Sequence, residues 1–126
     1  MDTRSDDFLT NQEIFDIASK HLLTQIKPST KKIVGELEPV FAYRGDDGAV
    51  DTLGVMLKDE EYKPIMDINQ LSINQLEKQN LLPKRFKKSV NLLTDLQILH
   101  DCFRPEKFEK NLLEIANKYG LEFIPE

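Results

Sequence analysis

The chain has 126 residues, 40% hydrophobic and 31% charged, with a formal net charge of −5, the balance of one soluble globular domain rather than a disordered tail. The negative charge argues against phosphate neutralisation as the main activity, and the apolar runs are too short to span a bilayer. The acidic opening "MDTRSDDFLT" is the reverse of a secretory signal, and a single cysteine, Cys102, permits no internal disulfide, so the expected compartment is the cytoplasm.

The acids concentrate in one half. Residues 1–67 hold 8 basic and 14 acidic residues, whereas residues 68–126 hold 9 and 8, a bias that raises solubility and also attracts a basic partner. The chain reads as one domain over residues 1–126, with residues 1–9 as a flexible lead.

Thr10 opens the first helix, because Glu13 three residues later completes a capping box and Leu9 with Ile14 staples the entry. Ile14, Ile17, Ala18, Leu22 and Ile26 then recur at helical spacing until Pro28. Residues 28–38 read as a connector with some extended structure. From Val40 to Leu57 the composition turns β-like, "VFAYR" and "AVDTLGVML" around "GDDG", which predicts a hairpin. With Gly45 to Gly48 as its loop, Arg44 faces Ala49 and Tyr43 faces Val50, and Arg44 lies within salt-bridge reach of Asp51.

Asp59 is placed to cap a short helical turn through "EEYKPIMD". Ser72 with Gln75 makes a second capping box, for a helix that stops before Pro83. Phe86, Val90, Leu93, Leu96, Leu99 and Phe103 mark a long amphipathic helix from Pro83 to Phe103. Pro105 starts a last helix with Phe108, Leu112, Ile115, Ala116 and Tyr119 inward, and Gly120 ends it. The tail "LEFIP" is either an edge strand or a segment packed across the helices. The fold class expected is α+β, a small antiparallel hairpin or sheet against about four to five helices.

No stretch has the spacing of a known chemistry. The glycines and aspartates of "YRGDDG" suit a turn, and the segment lacks the alternating carboxylates of a calcium loop and the Gly-Lys-Ser/Thr of a phosphate loop. Arg44 either locks nearby acids such as Asp51, Glu60 or Glu61 or presents a planar fork to a partner. The run "KDEEYKP" is a solvated helix start or a docking surface. His21 and His100 fall inside amphipathic helices with no ligand spacing, and Cys102 reads as a structural thiol. "PKRFKK", Pro83 to Lys88, is the one dense basic patch, although Phe86 belongs to the buried stripe and is withheld from stacking on bases.

The segment "FAYRGDDGAVDTLGVMLKDEEYKPIMD" resembles a group of small uncharacterised proteins from bacteriophages and bacterial genomes that share an "AYRG-x-x-G" element, then "GxLI", then "DEEY" and a proline. Ala42, Tyr43, Arg44, Gly45, Gly48, Gly54, Leu57, Asp59, Glu60, Glu61, Tyr62 and Pro64 carry the match, and "NQEIFDIASKHLLTQ" and "LLTDLQILHDCF" extend it. Members of that group often have cysteines where this chain has Phe41, Asp51 and Val55, so any metal they hold is not expected here.

The leading expectation is a non-enzymatic protein-binding factor, with the resemblance implying an inhibitor, immunity or accessory protein of phage or mobile-element origin. Its binding residues are Tyr43, Arg44, Asp46, Asp47, Glu60 and Glu61, with no catalytic residue, metal or cofactor. The partner is another protein, with no membrane role, and an uncovered apolar helix face would mark a homodimer. One alternative is a small hydrolase or nucleotide-binding enzyme centred on Arg44. The other is nucleic-acid binding through Lys84 to Lys88.

Overall fold

A computed structural model describes residues 8–25 and 27–124. Residues 1–7 of the expected lead, Ile26 of the first stripe and Pro125 of the tail lie outside the described residues. Both helix-start signatures form as read. The Thr10 hydroxyl accepts from the Glu13 N–H at 3.0 Å while the Glu13 carboxylate accepts from the Thr10 N–H at 2.9 Å, and α1 runs Asn11–Gln25. Ser72 and Gln75 make the same reciprocal pair at the start of α3, Ile73–Lys78. Each arrangement satisfies two backbone donors that a helix N-terminus leaves open.

The buried face of α1 is Ile14, Phe15, Ala18, Ser19 and Leu22. Ile17, expected in that stripe, is 40% exposed. Phe15 takes the inward position because its ring meets Phe123 edge to face, with centroids 5.6 Å apart. The tail is therefore no strand. It crosses α1 through a mutual amide pair, Gln12 Nε2 donating to the Glu122 carbonyl at 3.0 Å and the Glu122 N–H donating to Gln12 Oε1 at 2.9 Å.

The fold is α+β with an antiparallel sheet as expected, and one strand falls in the "VFAYR" run, but its partner strand is not the one read from the sequence. Strand β1, Thr30–Lys31, lies in the connector and pairs with β2, Val40–Phe41, with Thr30 opposite Phe41 and Lys31 opposite Val40. The loop of this hairpin is residues 32–39. The "GDDG" segment does reverse the chain, with the Gly45 N–H donating to the Ala49 carbonyl at 2.8 Å. Its register differs by one residue, because Arg44 rather than Tyr43 stands opposite Val50, in one isolated bridge.

Past Val50 the expected second strand curls into a 3₁₀ turn, Gly54–Met56. The Asp51 carboxylate drives this by accepting the Gly54 N–H at 2.6 Å, a local side-chain bond that competes with a strand ladder. Gly54 then lies so close to the preceding limb that a Cβ on it would come 1.9 Å from the Tyr43 carbonyl oxygen. Only glycine fits there.

Helix α2, Ile65–Ile68, follows Pro64. After α3, a 3₁₀ segment Lys84–Ser89 leads into α4, Val90–Cys102, and a short turn Pro105–Lys107 leads into α5, Phe108–Tyr119. Gly120 ends α5 in the left-handed conformation at φ 67°. Helices α1, α4 and α5 pack on one another and α3 packs on α4. Phe15, Phe86, Leu96, Phe108 and Leu112 fill the centre, each at most 1% exposed. Among the described residues no helix is long and apolar enough to cross a membrane.

Candidate functional site

The six residues expected to bind divide by what they touch. Tyr43 turns inward, 4% exposed, and its hydroxyl donates to the Leu71 carbonyl at 2.6 Å. Burial raises its pKa far above the ordinary 10.0, with the charges of Asp51 and Asp67 adding to it. The Asp46 carboxylate accepts the Lys32 N–H at 2.8 Å. Asp47 accepts the Ala49 N–H at 3.1 Å and pairs with Lys27 at 3.2 Å. Those bonds, the backbone one foremost, hold the Asp47 carboxyl below its usual value. Both aspartates thus shape the turn and tie it to its neighbours.

Of the two roles open to Arg44, it takes the lock, but on an acid other than Asp51, Glu60 and Glu61. Its guanidinium pairs with Asp59 at 3.0 Å, donates to the Leu57 carbonyl at 3.3 Å and lies 4.8 Å from the centre of the Tyr62 ring. The Arg44–Asp51 bridge is absent because the one-residue register change and the curl after Val50 carry Asp51 into the interior. Asp59, expected as a helix cap, is drawn to Arg44, and the Glu61 carboxylate takes the Lys58 N–H at 2.8 Å. Glu61 is also gripped by both arms of Arg85, and that bond lowers its pKa. The Glu60 side chain is exposed and enters no ion pair among the described residues.

Two buried acids build this region, Asp51, which the sequence placed only as a partner of Arg44, and Asp67, which it did not single out. Asp51, 0% exposed, accepts from Gly54 N–H and, through its other oxygen, from Gln97 Nε2 at 2.7 Å. Burial pushes its carboxyl well above the ordinary 3.8 against the pull of those two bonds, and the charges of Asp101 and Asp67 push the same way. Asp67, 1% exposed, accepts the Tyr43 N–H at 2.7 Å, the Arg44 N–H at 3.2 Å and the Tyr62 hydroxyl at 2.5 Å. The Tyr62 hydroxyl is correspondingly raised, by burial first and then by its bond to Asp67. Each acid sits alone inside an apolar run, "AVDTLG" and "PIMDIN", and that isolation is the signal that marks a buried, fully hydrogen-bonded carboxylate.

Asp51, Asp67 and Asp101 line a groove of about 510 Å³ together with Phe41, Ile73 and Ile98. Arg44 is not among its walls. Comparison with protein families, curated proteins and solved structures finds no match. The groove must therefore be read from its own chemistry. Its buried acids have their oxygens engaged by donors of the chain, and no group of three or more His, Cys, Asp and Glu among the described residues is arranged to hold a metal ion.

The histidines have structural partners. His100, 1% exposed, accepts the Ser29 N–H on Nε2 at 3.1 Å, so Nδ1 carries the proton and donates to Asp101 at 2.9 Å. This bond ties the start of β1 to α4. His21 Nε2 lies 2.6 Å from the Val50 carbonyl. Cys102, expected as a structural thiol, is exposed at the end of α4.

Proposed function

We propose that this chain is a non-enzymatic protein-binding factor whose contact surface is the tip of the β1–β2 hairpin. The observation that supports this most is the exposure of Val34 and Leu37, 102% and 100%, in the loop between the two strands. Burying either side chain against a partner is worth about 1.5–3 kcal/mol. Single exposed aliphatic residues are ordinary. This pair, however, sits on a loop whose stem, Pro39 to Phe41, forms a wall of the groove described above, where Phe41 and Ile98 are 42% and 56% exposed.

Glu36 and Glu38 flank Leu37 and are exposed, so the matching partner surface is an apolar pocket rimmed by basic side chains. Asp46, Asp47 and Glu60 add negative charge from the neighbouring turns. The inhibitor, immunity and accessory roles implied by the phage resemblance belong to this class of activity.

The test is affinity capture from the native host with the wild-type chain and a V34D/L37D variant of unchanged far-UV circular dichroism. The expected result is a protein held by the wild type and released by the variant, with charge reversal at Asp46, Asp47 and Glu60 weakening capture less. An identical set of proteins on both baits would remove the hairpin tip from consideration.

A further inference from the structure

We infer that the hollow between the 58–63 turn and the 80–85 segment is a binding site for a small phosphate-bearing polyanion. The hollow encloses about 560 Å³, within the range of small-ligand sites, and it is lined by Lys58, Lys63, Lys84 and Arg85 with a single acid, Glu61. In a chain of net charge −5 this concentration of cations runs against the overall sign.

The one acid is already neutralised. Arg85 holds both Glu61 oxygens, one of them at 2.7 Å, and gives a further bond to the Met56 carbonyl at 2.9 Å. Its guanidinium also lies 4.5 Å from the centre of the Phe86 ring. Arg85 and Glu61 therefore fasten the two walls together and leave the charge of the hollow to the lysines. Lys58, Lys63 and Lys84 have no carboxylate within salt-bridge distance among the described residues, and the one hydrogen bond that these ammonium groups make to the described residues runs from Lys63 to the Glu60 carbonyl at 3.1 Å. Lysines elsewhere do find acids, as Lys27 finds Asp47 and Lys118 finds Asp95.

Several compact, mobile ammonium groups suit a group carrying two or more negative charges and rotating freely, which is the chemistry of a diphosphate. Leu81, Leu82 and Pro83 supply an apolar back wall for an organic substituent. A nucleic-acid strand is the poorer match. Phe86 is 0% exposed and offers no ring for stacking, and Lys88 leaves the hollow to lie 4.4 Å from the centre of the Phe8 ring.

The test is a titration of the isotope-labelled full chain with sodium pyrophosphate at fixed ionic strength, followed by NMR. Saturable shifts at the amides of Lys58, Lys63, Asn80 and Lys84 are expected, with Lys110 and Lys118 unmoved. A K58Q/K84Q variant should bind about tenfold more weakly or worse with an unchanged urea midpoint, which separates loss of the site from loss of the fold. Linear shifts at all lysines alike, or equal affinity in the variant, would overturn the assignment. So would a single-stranded oligonucleotide that binds more tightly than pyrophosphate and moves Lys87 and Lys88.

Discussion

Replacing Asp51 with Asn should remove a pH dependence of stability that the wild type carries. In the unfolded chain this carboxyl ionises near its ordinary 3.8, whereas in the folded chain burial holds the proton on to a higher pH. Below the unfolded value both states are protonated and the stability is fully present. Above it the unfolded state gains ionisation free energy that the folded state does not, so stability falls as pH rises until the folded value is reached. One proton held by only one of the two states makes the slope about 1.4 kcal/mol per pH unit.

Asn keeps the oxygen that accepts the Gly54 N–H, and its amide can donate to Gln97 once the Gln97 amide turns over, with the Thr52 hydroxyl then accepting where it now donates at 3.0 Å. That turn also gives up the bond from Gln97 Nε2 to Asp101 at 3.2 Å, so the local cost is about 1–3 kcal/mol, the same at every pH in the interval. Urea unfolding followed by circular dichroism, stepped from about pH 4.5 to about pH 7, should therefore give a variant-minus-wild-type difference that climbs with pH in favour of the variant. A difference that stays flat across that interval would refute the buried-proton argument. So would a variant that is destabilised by several kcal/mol throughout.

Gly54→Ala should cost about 3 kcal/mol or more, since its Cβ meets a backbone carbonyl that cannot move aside as a side-chain tip would; thermal unfolding measures it, and a neutral result would contradict the close approach. Arg85→Met leaves the partly buried Glu61 carboxylate without its bidentate partner and should lower the unfolding free energy by about 2 kcal/mol, checked by urea titration, with no loss expected if the pair were a solvated surface contact. Ultraviolet titration of the folded protein should show no phenolate near the ordinary pH of 10.0. Tyr43 and Tyr62 are held protonated well beyond it, and Tyr119, through burial and its bond to Asp95, is pushed up to about 12.

The helices were legible where their determinants are local. Thr10 with Glu13 and Ser72 with Gln75 lie three residues apart, and Gly120 needs only its own backbone freedom to end α5. The strands were legible only in part, because their pairing is set by remote residues. "VFAYR" contains β2 and the connector was read with some extended structure, but Ser29 is fixed by His100 across 71 positions, and Asp51 leaves the expected ladder partly because Gln97 receives it from 46 positions away. The same distance effect hid part of the site. A lock was one of two roles read for Arg44, but its choice of Asp59 over Asp51 depends on a one-residue register that turn composition does not encode. Val34 and Leu37 lie in the segment read only as a connector, and their exposure became visible once that connector proved to hold the loop of a hairpin.

Asp67 carries one more consequence. Helix α2 has only four residues and could not persist in isolation, yet its carboxylate receives two backbone amides from a limb more than twenty positions earlier and the hydroxyl of Tyr62. The Tyr43 and Arg44 protons should consequently exchange with deuterium at the rate set by detachment of α2, slowly and in step, although Tyr43 belongs to no ladder and Arg44 to a lone bridge.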